Sequence, residues 1–118
     1  RKISEYGKEY IMEFENQVME LIVNGGDVRG KALNAVSAAA EGQFDQAEKL
    51  MEECKSSLNQ AHNIQTGLIQ AELNGDDSVR VTLLIVHAQD HLMNAITVKD
   101  LAEHIIHLSK VIYKKKGE

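Results

Sequence analysis

Proline and tryptophan are absent from this sequence of 118 residues, and its aromatic side chains are limited to two phenylalanines and three tyrosines. Proline interrupts helices because it lacks a backbone N–H and clashes with the preceding turn. A chain without proline can therefore form long helices, and residues that favour helix, such as Ala, Leu, Glu, Gln and Lys, are abundant. The composition predicts an all-α protein.

Cysteine is also scarce, and acidic residues outnumber basic ones. Cys54 is the only cysteine, so no internal disulfide can form and nothing indicates an oxidising compartment. The 13 Lys and Arg residues against 18 Asp and Glu give a net charge of −5, which disfavours nucleic acid and favours a basic protein partner. No apolar run approaches the ~20 residues that span a bilayer, and no signal peptide is visible. We expect a cytoplasmic protein without direct membrane insertion.

The apolar residues that are present form three seams with steps of three and four positions, the period of one helix face. These seams predict helices over about residues 10–41, 43–73 and 79–114, each roughly 45 Å long. Short loops between such helices predict an antiparallel three-helix bundle. We expect residues 1–9 to be a polar lead-in and residues 10–118 to form a single domain.

Gly42 is predicted to end the first helix. "LNGDDS" at 73–78 is predicted to end the second helix, with Asp76, Asp77 and Ser78 as candidate N-caps of the third.

Three glycines in "NGGDVRG" at 24–30 bear on the continuity of the first helix. The seam stays in phase through this stretch, although each glycine costs roughly 1 kcal/mol relative to Ala inside a helix. We predict a continuous helix in which Gly25 and Gly26 allow the close approach of a neighbouring helix. A kink or break at Asn24–Asp27 remains the alternative.

Polar residues interrupt the third seam, which reads Leu84, His87, His91, Asn94, Val98, Leu101, Ile105, Leu108 and Ile112. Ionisable groups are costly to bury unless they are paired, bound to metal or hydrated. Apolar residues also flank this seam on both sides, and a helix that is apolar over so wide an arc usually has a second surface to bury. We predict self-association with the polar cluster inside the assembly.

Three stretches resemble one protein family. "VHAQDHLMNA" at 86–95, preceded by "LLI", is similar to the active-site signature of the lactose/cellobiose family of enzyme IIA proteins in the bacterial phosphoenolpyruvate-dependent sugar phosphotransferase system. "LIVNGGDVRGKAL" and "QAHNIQTGLIQAE" support the resemblance, which covers residues 14–113. The HAQDH block is highly specific. The chain departs from the family at Gly25, Val28 and Gly30, where the family tends to have Ala or Ser, Ala and Ser.

The resemblance implies a fold, a reaction and a metal site. It implies a homotrimer of three-helix bundles in which phospho-HPr phosphorylates His87. His87 then passes the phosphoryl group to a cysteine of the cognate IIB protein or domain, which phosphorylates the sugar as the membrane subunit IIC imports it. The position matching Asp90 is the family's metal site, with one Mg²⁺ per trimer at the three-fold axis. Ala88 slightly favours the cellobiose/chitobiose branch over the lactose branch.

The side chains around His87 suit a phosphoryl carrier. Histidine has an unperturbed pKa of ~6.5, so it is a neutral nucleophile near pH 7, and its phosphoramidate is labile. Gln89 and His91 can donate hydrogen bonds that orient the phosphoryl group. No Lys or Arg lies between Arg80 and Lys99, which predicts a site without a fixed cation that would trap the intermediate.

The chemistry of Asp90 suits the metal site that the resemblance implies. Three copies of this carboxylate on a shared face would repel one another, and an oxygen-rich, octahedral site suits Mg²⁺.

Three other functions fit the sequence less well. A helical zinc hydrolase using His87 and His91 would need Glu after the first histidine, where Ala88 stands. A histidine-containing signalling phosphotransfer bundle usually has Lys three positions after the phosphorylated histidine, where this chain has Asp90. A structural helical adaptor gives no reason for polar groups within a seam. The signalling bundle and the adaptor remain the alternatives.

The remaining histidines, His62, His104 and His107, are predicted to be structural or surface residues. For Asp27 and Arg29 the sequence leaves two possibilities open: they pair with each other on the helix surface, or they line a partner face.

Overall fold

The computed structural model describes residues 5–77 and 79–117, the first eight of them as backbone only. Three helices account for most of this part of the chain: α1 (Glu5–Ala40), α2 (Phe44–Leu73) and α3 (Leu83–Lys116). Helix α1 packs extensively against both α2 and α3, which touch each other much less. The result is a rod of 72 × 21 × 19 Å, and it confirms the predicted three-helix bundle. None of the helices described is long and apolar enough to cross a bilayer.

Helix α1 is continuous through its glycines, as predicted. It begins at Glu5, so its backbone includes residues 5–9 of the segment expected to be a lead-in. A Cβ atom added at Gly25 would lie 3.3 Å from the backbone carbon and oxygen of His91, so the close approach of α1 and α3 is confirmed there. At Gly26 a Cβ would meet nothing within 4 Å, so the same prediction for Gly26 is wrong.

The first two helices end in the same way. Helix α1 stops at Ala40, and Gly42 takes a φ of +78°, a left-handed conformation that glycine adopts without steric cost. The N–H of Gln43 then donates to the carbonyl of Ala38. Helix α2 ends with Gly75 at a φ of +77°. The predicted role of Gly42 is confirmed.

Helix α3 starts four residues later than predicted. Its N-cap is Thr82, whose hydroxyl oxygen accepts a hydrogen bond from the N–H of Ile85 at 3.3 Å. Asp76 and Asp77 are therefore not caps, and Ser78 lies outside the described residues. The N–H of Asp76 instead donates to the carbonyl of Ala71 and completes the end of α2. The last turn of α3 is basic, which suits its electronegative end.

The core follows the first two predicted seams closely. Small side chains dominate it and let the helices lie near one another. The buried residues of α1 and α2 are Val18, Leu21, Val28, Ala32, Ala35, Ala38, Ala39, Ala47, Met51, Cys54, Leu58, Ala61 and Leu68.

The third predicted seam is wrong as a core seam. Helix α3 buries Ile85, Ala88, Leu92, Ala95, Ala102 and Ile106. The seam predicted from the sequence lies mainly one position earlier and faces outward, where its five Leu and Ile side chains are between 41% and 57% exposed. Helix α3 thus carries two apolar faces, and the bundle uses the one rich in alanine because small residues permit the close contact with α1. No polar or charged residue is buried in the part of the chain whose side chains are described.

Candidate functional site

Two histidines meet on the outer side of α3. The Nε2 atoms of His87 and His91 are 3.1 Å apart, and their rings are perpendicular with centroids 4.5 Å apart. Residues four apart lie on one face of a helix, so the spacing alone brings the rings together. This distance suits a hydrogen bond between the two nitrogens, and the tautomers decide which Nε2 donates and which accepts. His87 is exposed and His91 is half-buried.

These histidines open onto a cleft between α1 and α3. Three of the four predicted site residues line it, namely His87, Asp90 and His91. The complete lining is Arg29, His87, Asp90, His91, Asn94, Thr97 and Val98. The cleft therefore combines one cation, one carboxylate and a pair of histidines.

Gln89, the fourth predicted residue, lies on the α2 side of α3. Its Oε1 accepts a hydrogen bond of 2.6 Å from the Nε2 of Gln65, and its side chain is half-buried there. It does not line the cleft of its own chain. The orienting role predicted for Gln89 therefore stays a prediction, and the structure gives its amide a second role in joining α2 to α3.

Arg29 overturns the prediction of a site without a fixed cation. It is an exposed residue of α1 and lines the same cleft as His87. Sequence reasoning missed it because the search for cations was confined to neighbouring positions on α3. A signal was present, since Arg29 follows Gly25 by four positions and Gly25 was expected to face another helix.

Asp27 does not pair with Arg29. Its carboxylate accepts a hydrogen bond of 2.6 Å from the Ser57 hydroxyl and lies 3.1 Å from the Nζ of Lys31. The Ser57 hydroxyl lowers the pKa of Asp27, partial burial opposes this, and Lys31 lowers it further. Asp27 thus belongs to the α1–α2 contact, and Arg29 belongs to the cleft.

Asp90 is exposed on α3. Among the side chains the structure describes, no group of three or more His, Cys, Asp or Glu residues is arranged to hold a metal ion. The other histidines, His62, His104 and His107, are exposed surface residues.

Comparison with known proteins matches residues 16–110 to a family described as PTS system, lactose/cellobiose specific IIA subunit. The lichenan-specific phosphotransferase enzyme IIA component of Bacillus subtilis is 44% identical over 105 residues, which are 89% of this chain and 94% of that protein. The range matched to the family includes every residue that lines the cleft.

Solved structures agree with this match. The PTS cellobiose-specific enzyme IIA from Bacillus anthracis has a TM-score of 0.82 and 42% identity, covering 86% of this chain and 92% of that one. The chitobiose IIA protein of Escherichia coli, solved in a complex with HPr, has a TM-score of 0.73 and 36% identity, covering 85% and 96%. With its sequence and its helices in agreement, the chain belongs to the lactose/cellobiose-specific IIA subunits of the sugar phosphotransferase system.

Proposed function

We propose that this protein is a phosphoryl carrier in which His87 accepts a phosphoryl group from phospho-HPr and passes it to a cysteine of the cognate IIB component. The observation that carries the proposal is the exposed His87 ring in an open cleft, with its Nε2 3.1 Å from that of His91. The Escherichia coli relative solved with HPr supports HPr as the donor. Membership of the IIA family argues against the signalling and adaptor alternatives.

Two displacements at phosphorus make up the proposed reaction. In the first, an unprotonated ring nitrogen of His87 attacks phosphorus, and the bond to the donor atom of HPr breaks with its electron pair. The other ring nitrogen releases its proton to solvent, and the donor atom takes one up. In the second, a IIB thiolate forms the S–P bond, and the N–P electron pair returns to the His87 ring, which regains its proton.

His91 is the proposed orienting donor. Its Nε2 lies close enough to that of His87 for a hydrogen bond. An oxygen of a phosphoryl group on the His87 Nε2 falls within reach of the same N–H. Since histidine, unlike Lys or Arg, carries no permanent charge, this contact orients the group without trapping it.

The outer face of α3 is the proposed contact between the copies of a homotrimer. The Leu and Ile residues of the outward seam are exposed over several turns, at Leu101, Ile105, Leu108 and Ile112. A continuous apolar surface of this kind marks an interaction site. Because His87 and Asp90 lie on the same side of α3, assembly through this face brings the phosphoryl site to the subunit boundary.

A Mg²⁺ ion at the three-fold axis, held by Asp90, is proposed with this trimer. The Asp90 carboxylate is exposed and forms no ion pair with any described residue, so it is free to meet its counterparts. Carboxylate oxygens are the ligands that Mg²⁺ prefers, and the ion would offset the repulsion among three like charges. The residue fits the metal only when several chains contribute it.

The proposal is tested by incubating the protein with enzyme I, HPr and phosphoenolpyruvate, and then mapping the acid-labile phosphate. We expect phosphate on His87 and its discharge when IIB is added. Phosphate on another residue, or none on the folded protein, would contradict the proposal. The relatives are named for lichenan, lactose, galactose, cellobiose and chitobiose, so the preference for cellobiose or chitobiose over lactose stays a prediction. The cytoplasmic location also stays a prediction from the sequence.

A further inference from the structure

Arg29 is a charged group in the cleft for which the proposed function has not yet given a role. We propose that its guanidinium binds the phosphoryl group carried by His87 and speeds transfer from phospho-HPr. This inference rests on the proposed role of His87 and adds to it a residue from a different helix.

The packing of α1 against α3 places Arg29 at the cleft. Gly25 touches the backbone of His91, where a Cβ would come within 3.3 Å of the carbonyl carbon and oxygen. Arg29 lies one helical turn further along the same face of α1. Since both helices are continuous here, the Gly25 contact fixes the spacing between Arg29 and the histidine pair.

Arg29 is free to bind a ligand, whereas nearby lysines are engaged. It forms no hydrogen bond or ion pair with any described residue. Lys31 lies within 4 Å of Asp27 and Glu53. Lys99 similarly pairs with Asp100 and Glu103. These two lysines, which are close in sequence to the residues of the cleft, already have acidic partners.

The chemistry of phosphoryl transfer gives such a cation a use. Charge spreads over the three equatorial oxygens of the transferred group, and a planar guanidinium can bind two of them at once. Asp90 lines the same cleft, so its carboxylate is the other group that the guanidinium could bind. Because Arg29 is exposed, water and salt weaken its hold on the phosphoryl group, so it can speed the transfer without making the phosphohistidine inert.

Arg29→Gln and Arg29→Lys test the inference, with Arg80→Gln as the matched control. Arg80 is exposed in the segment before α3 and does not line the cleft, so its substitution removes the same charge elsewhere. We expect Arg29→Gln to slow single-turnover phosphorylation at saturating phospho-HPr by about tenfold to a hundredfold, the usual range for a lost charged hydrogen bond. Arg29→Lys should recover part of the rate, and Arg80→Gln should match wild type.

Two comparisons separate the possible failures. If wild type is phosphorylated on His87 and Arg29→Gln matches Arg80→Gln, or raises only the KM for phospho-HPr, the inference about Arg29 is wrong and the proposed function stands. If wild type takes no phosphate on His87, both the inference and the proposed function fail.

Repeating Arg29→Gln in an Asp90→Leu background decides the target of the guanidinium. An equal loss of rate in both backgrounds supports contact with the phosphoryl group, whereas a loss seen only with Asp90 present shows that Arg29 acts by pairing with that carboxylate.

Discussion

At the scale of single residues, the two histidines of the cleft differ in exposure and are expected to differ in their tasks. His87 is exposed, and His91 is half-buried, with its backbone carbonyl against Gly25 of α1. The exposed ring can meet a partner protein, while the half-buried ring is held in place. Mutations at the two positions should therefore have distinct kinetic effects.

His87→Gln removes the nucleophile while keeping a polar side chain of similar size. Since His87 is exposed and takes no part in the core, we expect the variant to fold and assemble like wild type. It should accept no phosphoryl group from phospho-HPr. Circular dichroism and sedimentation check the fold and assembly, and electrophoresis under alkaline conditions checks for phosphate. Phosphate on the folded variant would show that another residue is the nucleophile.

His91→Ala removes a hydrogen-bond donor rather than the nucleophile. We expect transfer to slow by roughly tenfold, in keeping with the loss of one neutral hydrogen bond, and the phosphate to remain on His87. Rapid-quench measurement of the phosphorylation rate gives the comparison with wild type. A complete loss of phosphorylation in a folded variant would indicate that His91, and not His87, is the nucleophile.

At the scale of helices, the contact of Gly25 with His91 governs how α1 meets α3. Gly25→Ala should push the helices apart, because its Cβ would meet helical backbone at 3.3 Å. Such overpacking typically costs about 1–3 kcal/mol, and the gain in helix propensity returns at most about 1 kcal/mol. Urea unfolding should show a less stable protein. Gly26→Ala is the control, since its Cβ meets open space and should stabilise α1. Equal stabilisation by both substitutions would contradict the close contact.

The Asp27–Ser57 hydrogen bond joins α1 to α2, and its contribution depends on pH. The Ser57 hydroxyl lowers the pKa of Asp27 in the folded chain below the ordinary value of 3.8. The stabilisation is therefore fully present above pH 3.8 and is lost as the pH falls through the lowered pKa of Asp27 in the folded chain. Because Asp27 is partly exposed, the gain is screened to below about 1 kcal/mol.

Asp27→Asn is the variant that tests this dependence. It should be less stable than wild type at about pH 7, and the difference in free energy of unfolding should shrink at about pH 3. Urea titrations at both pH values measure it. A difference that does not change with pH would assign the effect to packing instead of charge.

The helices and two of the three core seams could be predicted from the sequence because α1 and α2 each have one apolar face that continues in phase along the helix. Helix α3 has two, and periodicity alone does not say which one belongs to the core of its own chain. Ala88 and Ala95 look weakly apolar beside Leu101 and Ile105, yet close helix packing favours the alanines. The place of Arg29 in the cleft was missed for a related reason. The cleft is lined by residues of two helices that are far apart in sequence, and no local motif contains both.

At the scale of the whole molecule, the two faces of α3 divide the work of folding and assembly. The inner face completes the bundle with Ala88, Leu92 and Ala95, which are fully buried. The outer face leaves Leu101 and Leu108 each 57% exposed, on the same side as the phosphoryl site. Assembly through this face would cover the exposed side chains, and it would bring the Asp90 carboxylates of different subunits together.

The role of Asp90 can be separated from that of the apolar face by removing metal. In wild type, chelator should weaken the proposed trimer, since three ionised carboxylates lose the cation that offsets their repulsion. Asp90→Leu removes both the charges and the need for metal, and replacing a buried charged cluster with apolar groups is often neutral or stabilising by ~1–4 kcal/mol. Sedimentation velocity should find this variant trimeric with or without chelator, and His87 should still accept phosphate. Asp100→Asn serves as the control, because it changes an exposed carboxylate of α3 outside the cleft and should leave the response to chelator unchanged. A monomeric Asp90→Leu protein beside a trimeric wild type would show that Asp90 holds the subunits together through a contact that leucine does not replace.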